Sequence, residues 1–278
     1  MSFTWSAGQA PVQVPLGLTG WLRAALRGVA LAVLVLGGLA VLLLVRLVER
    51  PLCGLRRPVT PAITVGVCRA ALLVLRLRHE VRGQPMRLAG AVVANHSSWL
   101  DIFVLNSAKR IYFVSKAEVA GWPGIGALAR ATGTVFIARD RSQAKAQTAV
   151  FEARLLAGHK LLFFPEGTST DGLRVLPFKT TLFQAFLSPE LQTSLYIQPV
   201  TLAYAAPSGL DARFYGWWGD MSFGAHLLTV LGARGPGSVC VTYHPPVAAA
   251  EWRSRKALAA HVEALVRAGM PPDRRGAA

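Results

Sequence analysis

Acidic side chains are scarce in this 278-residue chain: 14 Asp and Glu stand against 30 Lys and Arg, a net charge of +16. That imbalance concentrates anionic partners around a protein. The classes to weigh are acidic lipid, nucleic acid, a CoA-type thioester and an acidic carrier protein. Zinc-finger spacing, an aromatic RNA-binding signature and a block dense in Lys or Arg are all missing, so nucleic acid is the weakest of these. The arginines stand singly among apolar residues, which suits a membrane surface. Charged residues make up only 16 % against 53 % apolar, which excludes disorder and leaves an apolar surplus to face lipid.

Cysteine is scarce too. Cys53, Cys68 and Cys240 are odd in number and form no C-x-x-C pair, so neither a disulfide scaffold nor a structural zinc site is indicated. Buried free thiols in a reducing compartment are expected. His79, His159, His226, His244 and His261 show no H-E-x-x-H or comparable spacing, and no metal or cofactor is expected. A G-x-S-x-G elbow is lacking, which argues against a serine nucleophile. There is no internal repeat.

What the chain does have is a long apolar run, GVALAVLVLGGLAVLLLV, from Gly28 to Val45. As a helix it extends roughly 27 Å, at the short end for a hydrocarbon core of about 30 Å. A membrane helix is the default reading. A buried core helix and a segment that enters one leaflet and returns stay open as alternatives. Arg46, Arg50, Arg56 and Arg57 after the run outnumber Arg23 and Arg27 before it. The heavier side belongs in the cytoplasm, so the bulk of the chain is expected at the inner (cytoplasmic) membrane, facing the cytoplasm. Pro61–Leu77 reads as an amphipathic helix, with Ile63, Val67, Ala70, Val74 and Leu77 on one side and Arg69 and Arg76 on the other. Such a helix lies in the membrane interface or on the surface of a soluble domain.

From about residue 88 the pattern alternates. β-Rich runs fall at Ala91–Ala94, Arg110–Ser115, Thr134–Ile137, Lys160–Phe164, Leu195–Tyr204 and Ser238–Tyr243. Helical stretches fall near 97–108, 124–131, 142–157, 177–187 and 251–268. The fold class is therefore α/β: a mixed, mostly parallel sheet flanked by helices, with an N-terminal membrane-embedded helical segment. Three parts are expected: a loosely ordered stretch (1–27), a membrane helix with an interfacial helix (28–80), and an α/β domain (81–278).

The strand AVVA runs straight into Asn95-His96-Ser97-Ser98-Trp99-Leu100-Asp101. This places His96 at the carboxyl end of a strand, where open α/β sheets hold their ligands. Ser97 or Ser98 is expected to cap the following helix, with Asp101 about one turn into it. A carboxylate so placed fixes the imidazole tautomer and stabilises the imidazolium, which suits a general base acting on a hydroxyl. For Asn95, a turn residue satisfying its own loop is the preferred reading. A second element, Phe164-Pro165-Glu166-Gly167-Thr168, likewise sits where a strand becomes a loop. Trp217, Trp218 and Phe223 form an apolar wall, an interfacial patch or, more simply, part of the core.

These two elements, in this order and about 70 residues apart, resemble the glycerolipid acyltransferase family, bacterial 1-acyl-glycerol-3-phosphate acyltransferases above all. Thr134–Arg139 and Ile197–Val200 add to the likeness. The resemblance implies an O-acyltransferase that moves a fatty acyl group from an acyl-CoA or acyl carrier protein to the hydroxyl of a lysolipid. His96 would be the base and Asp101 its orienting partner. Glu166, Gly167 and Thr168 would position the acceptor head group. Arg139, Lys116 and Arg174 would meet phosphate or another anionic group, a task for which the planar guanidinium fork is well shaped. One departure bears on the acceptor: phosphate-acceptor members continue Glu-Gly-Thr with arginine, whereas Ser169 stands here, with Arg174 and Lys179 close enough in sequence to substitute. The run FPEGTSTDGLRVLPFK also resembles the branch that acylates lyso-ornithine lipid, an amino-acid lipid without phosphate. Lysophosphatidate, the commonest acceptor of the family, is the first expectation and lyso-ornithine lipid the alternative. A membrane-anchored binder of anionic lipid, with His96 structural, is the non-enzymatic alternative.

Overall fold

The computed structural model describes residues 5–6, 15–138 and 144–276. The chain opens with two helices, α1 (Leu18–Cys53) and α2 (Thr60–Val74). The α/β part follows in the order β1 (Leu77–Arg82), β2 (Gly90–Ala94), α3 (Asp101–Ala108), β3 (Tyr112–Lys116), α4 (Ile125–Thr132), β4 (Val135–Ile137), α5 (Ala144–Leu156), β5 (Leu161–Phe163) and a 3-10 segment (Thr180–Leu187). It continues through α6 (Pro189–Gln192), β6 (Tyr196–Ala205), α7 (Phe223–Gly232), β7 (Gly237–Tyr243), β8 (Val247–Ala248) and α8 (Arg255–Ala268).

One eight-stranded sheet runs β1-β7-β6-β2-β5-β3-β4, with β8 also on β6. Among the described residues only β6 pairs antiparallel, with β7 and β8; the other pairs are parallel. The sheet is thus mixed and mostly parallel, flanked by helices. β2 is buried along its whole length, as expected of a parallel strand covered on both faces. Val92 and Ala94 join a cluster with residues of α1, α2, α3 and α7. Ala91 and Val93 join the opposite cluster with Phe151 and Leu155 of α5 and Leu258, Val262 and Val266 of α8.

Several boundaries differ from the sequence reading. The apolar run 28–45 is the middle of the 36-residue α1, which begins ten residues earlier, inside the stretch expected to be loose. The second helix stops at Val74. Arg76 then adopts a left-handed conformation (φ 53°), which breaks the helical path. Leu77 consequently starts β1, parallel to β7, so the sheet begins before residue 81. β1 alternates charged and apolar residues and lies at the sheet's edge, where mixed character is tolerated. The stretch near 177–187 is 3-10 and not α-helical, and the short apolar α7 had no counterpart in the expected elements.

α1 has two faces. Gly20, Ala24, Leu31 and Leu42 are buried, whereas Leu22, Leu26, Val29, Val33, Leu36, Leu44 and Leu47 on the other side are 61–73 % exposed. Gly38 lets α2 approach closely: a Cβ there would come 2.3 Å from Val67 Cγ2. Near its start, Arg23 Nε donates to Gly232 O (3.0 Å) and Arg27 Nη1 to Leu231 O and Ala233 O (2.9 Å each). These cations meet the orphan carbonyls at the end of α7. Near its end, the buried Glu49 accepts from Val59 N and Thr60 N, the first amides of α2.

Candidate active site

The sheet order makes the site. β2 is flanked by β5 on one side and β6 on the other, so chain crossovers diverge around it, and such switch points open a crevice at the strands' carboxyl ends. His96 follows β2, and the Glu166 loop follows β5. Lys116 closes β3 at the same edge of the sheet.

His96 Nδ1 lies 2.8 Å from Asp101 Oδ2. The same oxygen accepts from Ser97 N (2.8 Å) and Ser98 N (3.1 Å). Asp101 is fully buried while the His96 side chain is 22 % exposed. With Nδ1–H donated to the carboxylate, Nε2 is left with its lone pair for an incoming hydroxyl. The Phe164 ring stacks on the imidazole at 4.0 Å and 11°. Here the sequence reading of the turn needs correcting. α3 begins at Asp101 itself, and neither serine hydroxyl makes a capping bond; both are buried without a partner. The carboxylate gathers the turn's amides instead, because an ionised acceptor binds two N–H groups more strongly than a hydroxyl does.

The backbone of His96 is held as firmly as its ring. Its N–H donates to Glu166 Oε2 (2.5 Å), and its carbonyl accepts from Thr170 N (3.0 Å) and Thr170 Oγ1 (3.3 Å). The other Glu166 oxygen accepts from Leu176 N (2.7 Å). Burial pushes the Glu166 carboxyl up to about 8, against the pull of those two amides. Asn95 satisfies no loop of its own: Leu202 N donates to its Oδ1 (2.7 Å) and its Nδ2 donates to Leu202 O (2.9 Å), across to β6. Tyr204, two residues further along β6, donates its hydroxyl to Asp101 Oδ1 at 2.6 Å.

The residues proposed for the acceptor converge only in part. Gly167 is left-handed (φ 70°), and a Cβ there would meet Lys179 Nζ at 2.6 Å, so glycine keeps that lysine against the loop. Thr168 Oγ1 accepts from Trp5 N (3.3 Å). Arg174 forks onto Asp171, with Nη2–Oδ2 at 3.1 Å and Nε–Oδ1 at 3.3 Å, and lies 5.0 Å over the Trp5 ring. Ser169 is buried. Arg139 lies outside the described residues. Trp218 is buried, and Trp217 and Phe223 pack against the core. Among the described residues no group of three or more metal-ligating side chains occurs. Phe164, Thr170 and Tyr204 escaped the sequence reading. Phe164 was at least inside a recognised motif; Tyr204 reaches Asp101 across 103 positions and leaves no local signal.

An imidazole backed by a buried carboxylate, at the carboxyl edge of a mostly parallel sheet, is an arrangement able to activate a hydroxyl for transfer or hydrolysis. The comparisons with known proteins narrow the class. A family model described as Acyltransferase matches residues 79–203. The lyso-ornithine lipid O-acyltransferase of Rhodobacter capsulatus is 58 % identical over 266 residues, 96 % of either chain. A 1-acyl-sn-glycerol-3-phosphate acyltransferase of Neisseria gonorrhoeae is 39 % identical over 125 residues, 44 % of this chain and 49 % of that one. The crystal structure of the 1-acyl-sn-glycerophosphate acyltransferase of Thermotoga maritima shares the fold, with a TM-score of 0.63 at 22 % identity over 91 % of this chain and 93 % of that one. The chain belongs to the acyltransferase family and is a lysolipid O-acyltransferase.

Proposed function

We propose that His96 is the general base and Asp101 its orienting partner in transfer of a fatty acyl group to the hydroxyl of lyso-ornithine lipid. His96 Nε2 takes the hydroxyl proton as the oxygen attacks the thioester carbonyl. The tetrahedral intermediate collapses, the C–S bond breaks, and the imidazolium returns the proton to the departing thiolate. An ester and a free thiol result. The donor is a soluble acyl thioester, acyl-CoA or acyl carrier protein, which the basic surface attracts.

The acceptor preference differs from the first expectation of lysophosphatidate. The observation that carries it is Ser169, a buried hydroxyl where phosphate-acceptor members place arginine. Arg174, the nearest substitute in sequence, is already forked onto Asp171. The near-complete match to the Rhodobacter capsulatus protein supports the same acceptor. Parallel acyl-transfer assays with both lysolipids test it. Efficient use of lyso-ornithine lipid and little use of lysophosphatidate is expected, with Ser169→Arg shifting the balance toward lysophosphatidate; native preference for lysophosphatidate would overturn the assignment.

We also propose how the protein meets the membrane. Residues 18–74 form a membrane-binding helical pair, and the sheet from Leu77 onward carries the chemistry. Anchors at both ends tie α1 to α7 and α2, so it does not leave the domain to cross a bilayer alone. It lies within one leaflet, apolar face to lipid. With Arg23 and Arg27 committed to α7, orientation rests on the net positive charge, which favours the anionic cytoplasmic leaflet of the inner membrane.

A further inference from the structure

We infer that Tyr204 is a positioning residue for acyl transfer, holding Asp101 so that its second oxygen stays on His96. The inference rests on the His96–Asp101 reading above. Asp101 is fully buried, and its two oxygens have different duties. Oδ2 serves His96 Nδ1, Ser97 N and Ser98 N, all from its own turn. Oδ1 is met by Tyr204 OH at 2.6 Å, from a strand on the far side of β2. Without that hydroxyl the carboxylate can rotate about its Cβ–Cγ bond, and either oxygen can slide from the imidazole toward the turn amides. With it, the carboxylate plane is pinned at both ends.

Tyr204 suits the task. It is 3 % exposed, its ring packs on Tyr215 at 5.6 Å, and its strand is locked to the His96 turn through Asn95 and Leu202. Burial, then the neighbouring Asp101 carboxylate, raises its hydroxyl pKa well above the ordinary value, so it remains a proton donor throughout the enzyme's working range. Its bond to a charged acceptor is of the stronger kind. Tyr204 touches neither acyl group nor acceptor in this scheme; it acts through Asp101.

The test is steady-state kinetics on full-length Tyr204→Phe in detergent, read as kcat against KM. The ring is kept and one oxygen lost. We expect kcat to fall about ten- to a hundredfold, with KM for donor and acceptor within about twofold. In an Asp101→Asn background the same change should have no further effect on kcat, because the oriented carboxylate is already gone. Tyr215→Phe, which removes a neighbouring tyrosine hydroxyl away from Asp101, should leave kcat native. Should Tyr204→Phe fail to fold, 4-aminophenylalanine at position 204 replaces it. It keeps the ring and a donor, but its weaker N–H holds Asp101 less firmly, and kcat should fall about threefold or more at constant KM. Native kcat in folded Tyr204→Phe, an unchanged kcat with 4-aminophenylalanine, or additivity with Asp101→Asn would overturn the inference. If His96→Ala is itself active, the dyad reading has failed; if only Tyr204→Phe is native, the dyad stands and Tyr204 has no positioning role.

Discussion

The turn after β2 and the loop after β5 look alike in sequence: each leaves a buried strand, and each carries one carboxylate inside a short motif. In space the two carboxylates differ. Among the described residues Asp101 accepts from an imidazole, a phenol and two amides, whereas Glu166 accepts from two amides, those of His96 and Leu176. Asp101 bonds two side chains as well as main chain; among the described residues the bonds of Glu166 are to main chain. The first arrangement is the one proposed above to carry the chemistry, and the second stitches the β5 loop to the β2 turn. A shared motif status therefore does not mean a shared set of contacts, and each Glu166 oxygen already holds one main-chain amide.

Removing the chemistry outright breaks the comparison hardest. His96→Ala should lower kcat about a hundred- to ten-thousandfold, with circular dichroism and thermal midpoint near native. Asp101→Asn should lower kcat by up to about ten-thousandfold by favouring the wrong tautomer; a loss confined to KM would contradict the assigned role. Glu166→Gln is the contrasting case. It places an NH2 against a backbone donor, so stability should drop by about 1–3 kcal/mol, while kcat of the folded fraction stays within about tenfold. Glu166 also predicts a pH signature. Its folded-state pKa of about 8 lies above the ordinary 4.5. Over that interval the folded form holds the extra proton, and stability from this group falls as pH rises. The thermal midpoint should therefore decline from pH 5 to pH 8 in the native protein and decline less in Glu166→Gln. Equal slopes in a thermal-shift series would refute this. Smallest in its effect on turnover is Leu36→Glu with Leu44→Glu on the exposed face of α1. Vesicle cosedimentation should weaken about tenfold or more, with activity in detergent unchanged.

Much of this architecture was legible in the residues. β2, β3, β5, β6 and β7 are β-rich runs bounded by breakers, and periodicity located them to within about two residues. His96 and Asp101 could be read because five positions of one turn bring them together. What local pattern misses is whatever long-range packing decides. β1 is strand only because β7 pairs with it, and Arg76 in a left-handed conformation separates it from a helix with continuous periodicity. Asn95 looked like a turn residue because its partner, Leu202, is 107 positions away. Likewise the charge of Arg23 and Arg27 read as a membrane flank, while their acceptors at the end of α7 are more than 200 residues downstream.

That separation has a consequence during synthesis. Arg27 and Leu231 are 204 positions apart, and ribosomes add roughly 5–20 residues per second, so roughly 10–40 s pass between the emergence of α1 and that of its cap acceptor. Throughout that time an apolar helix is free of the domain it will later lie against. Lipid is the solvent in which such a helix can wait without aggregating. The nascent chain is therefore expected to reach the membrane first and complete its sheet there, so that the finished enzyme is delivered already docked.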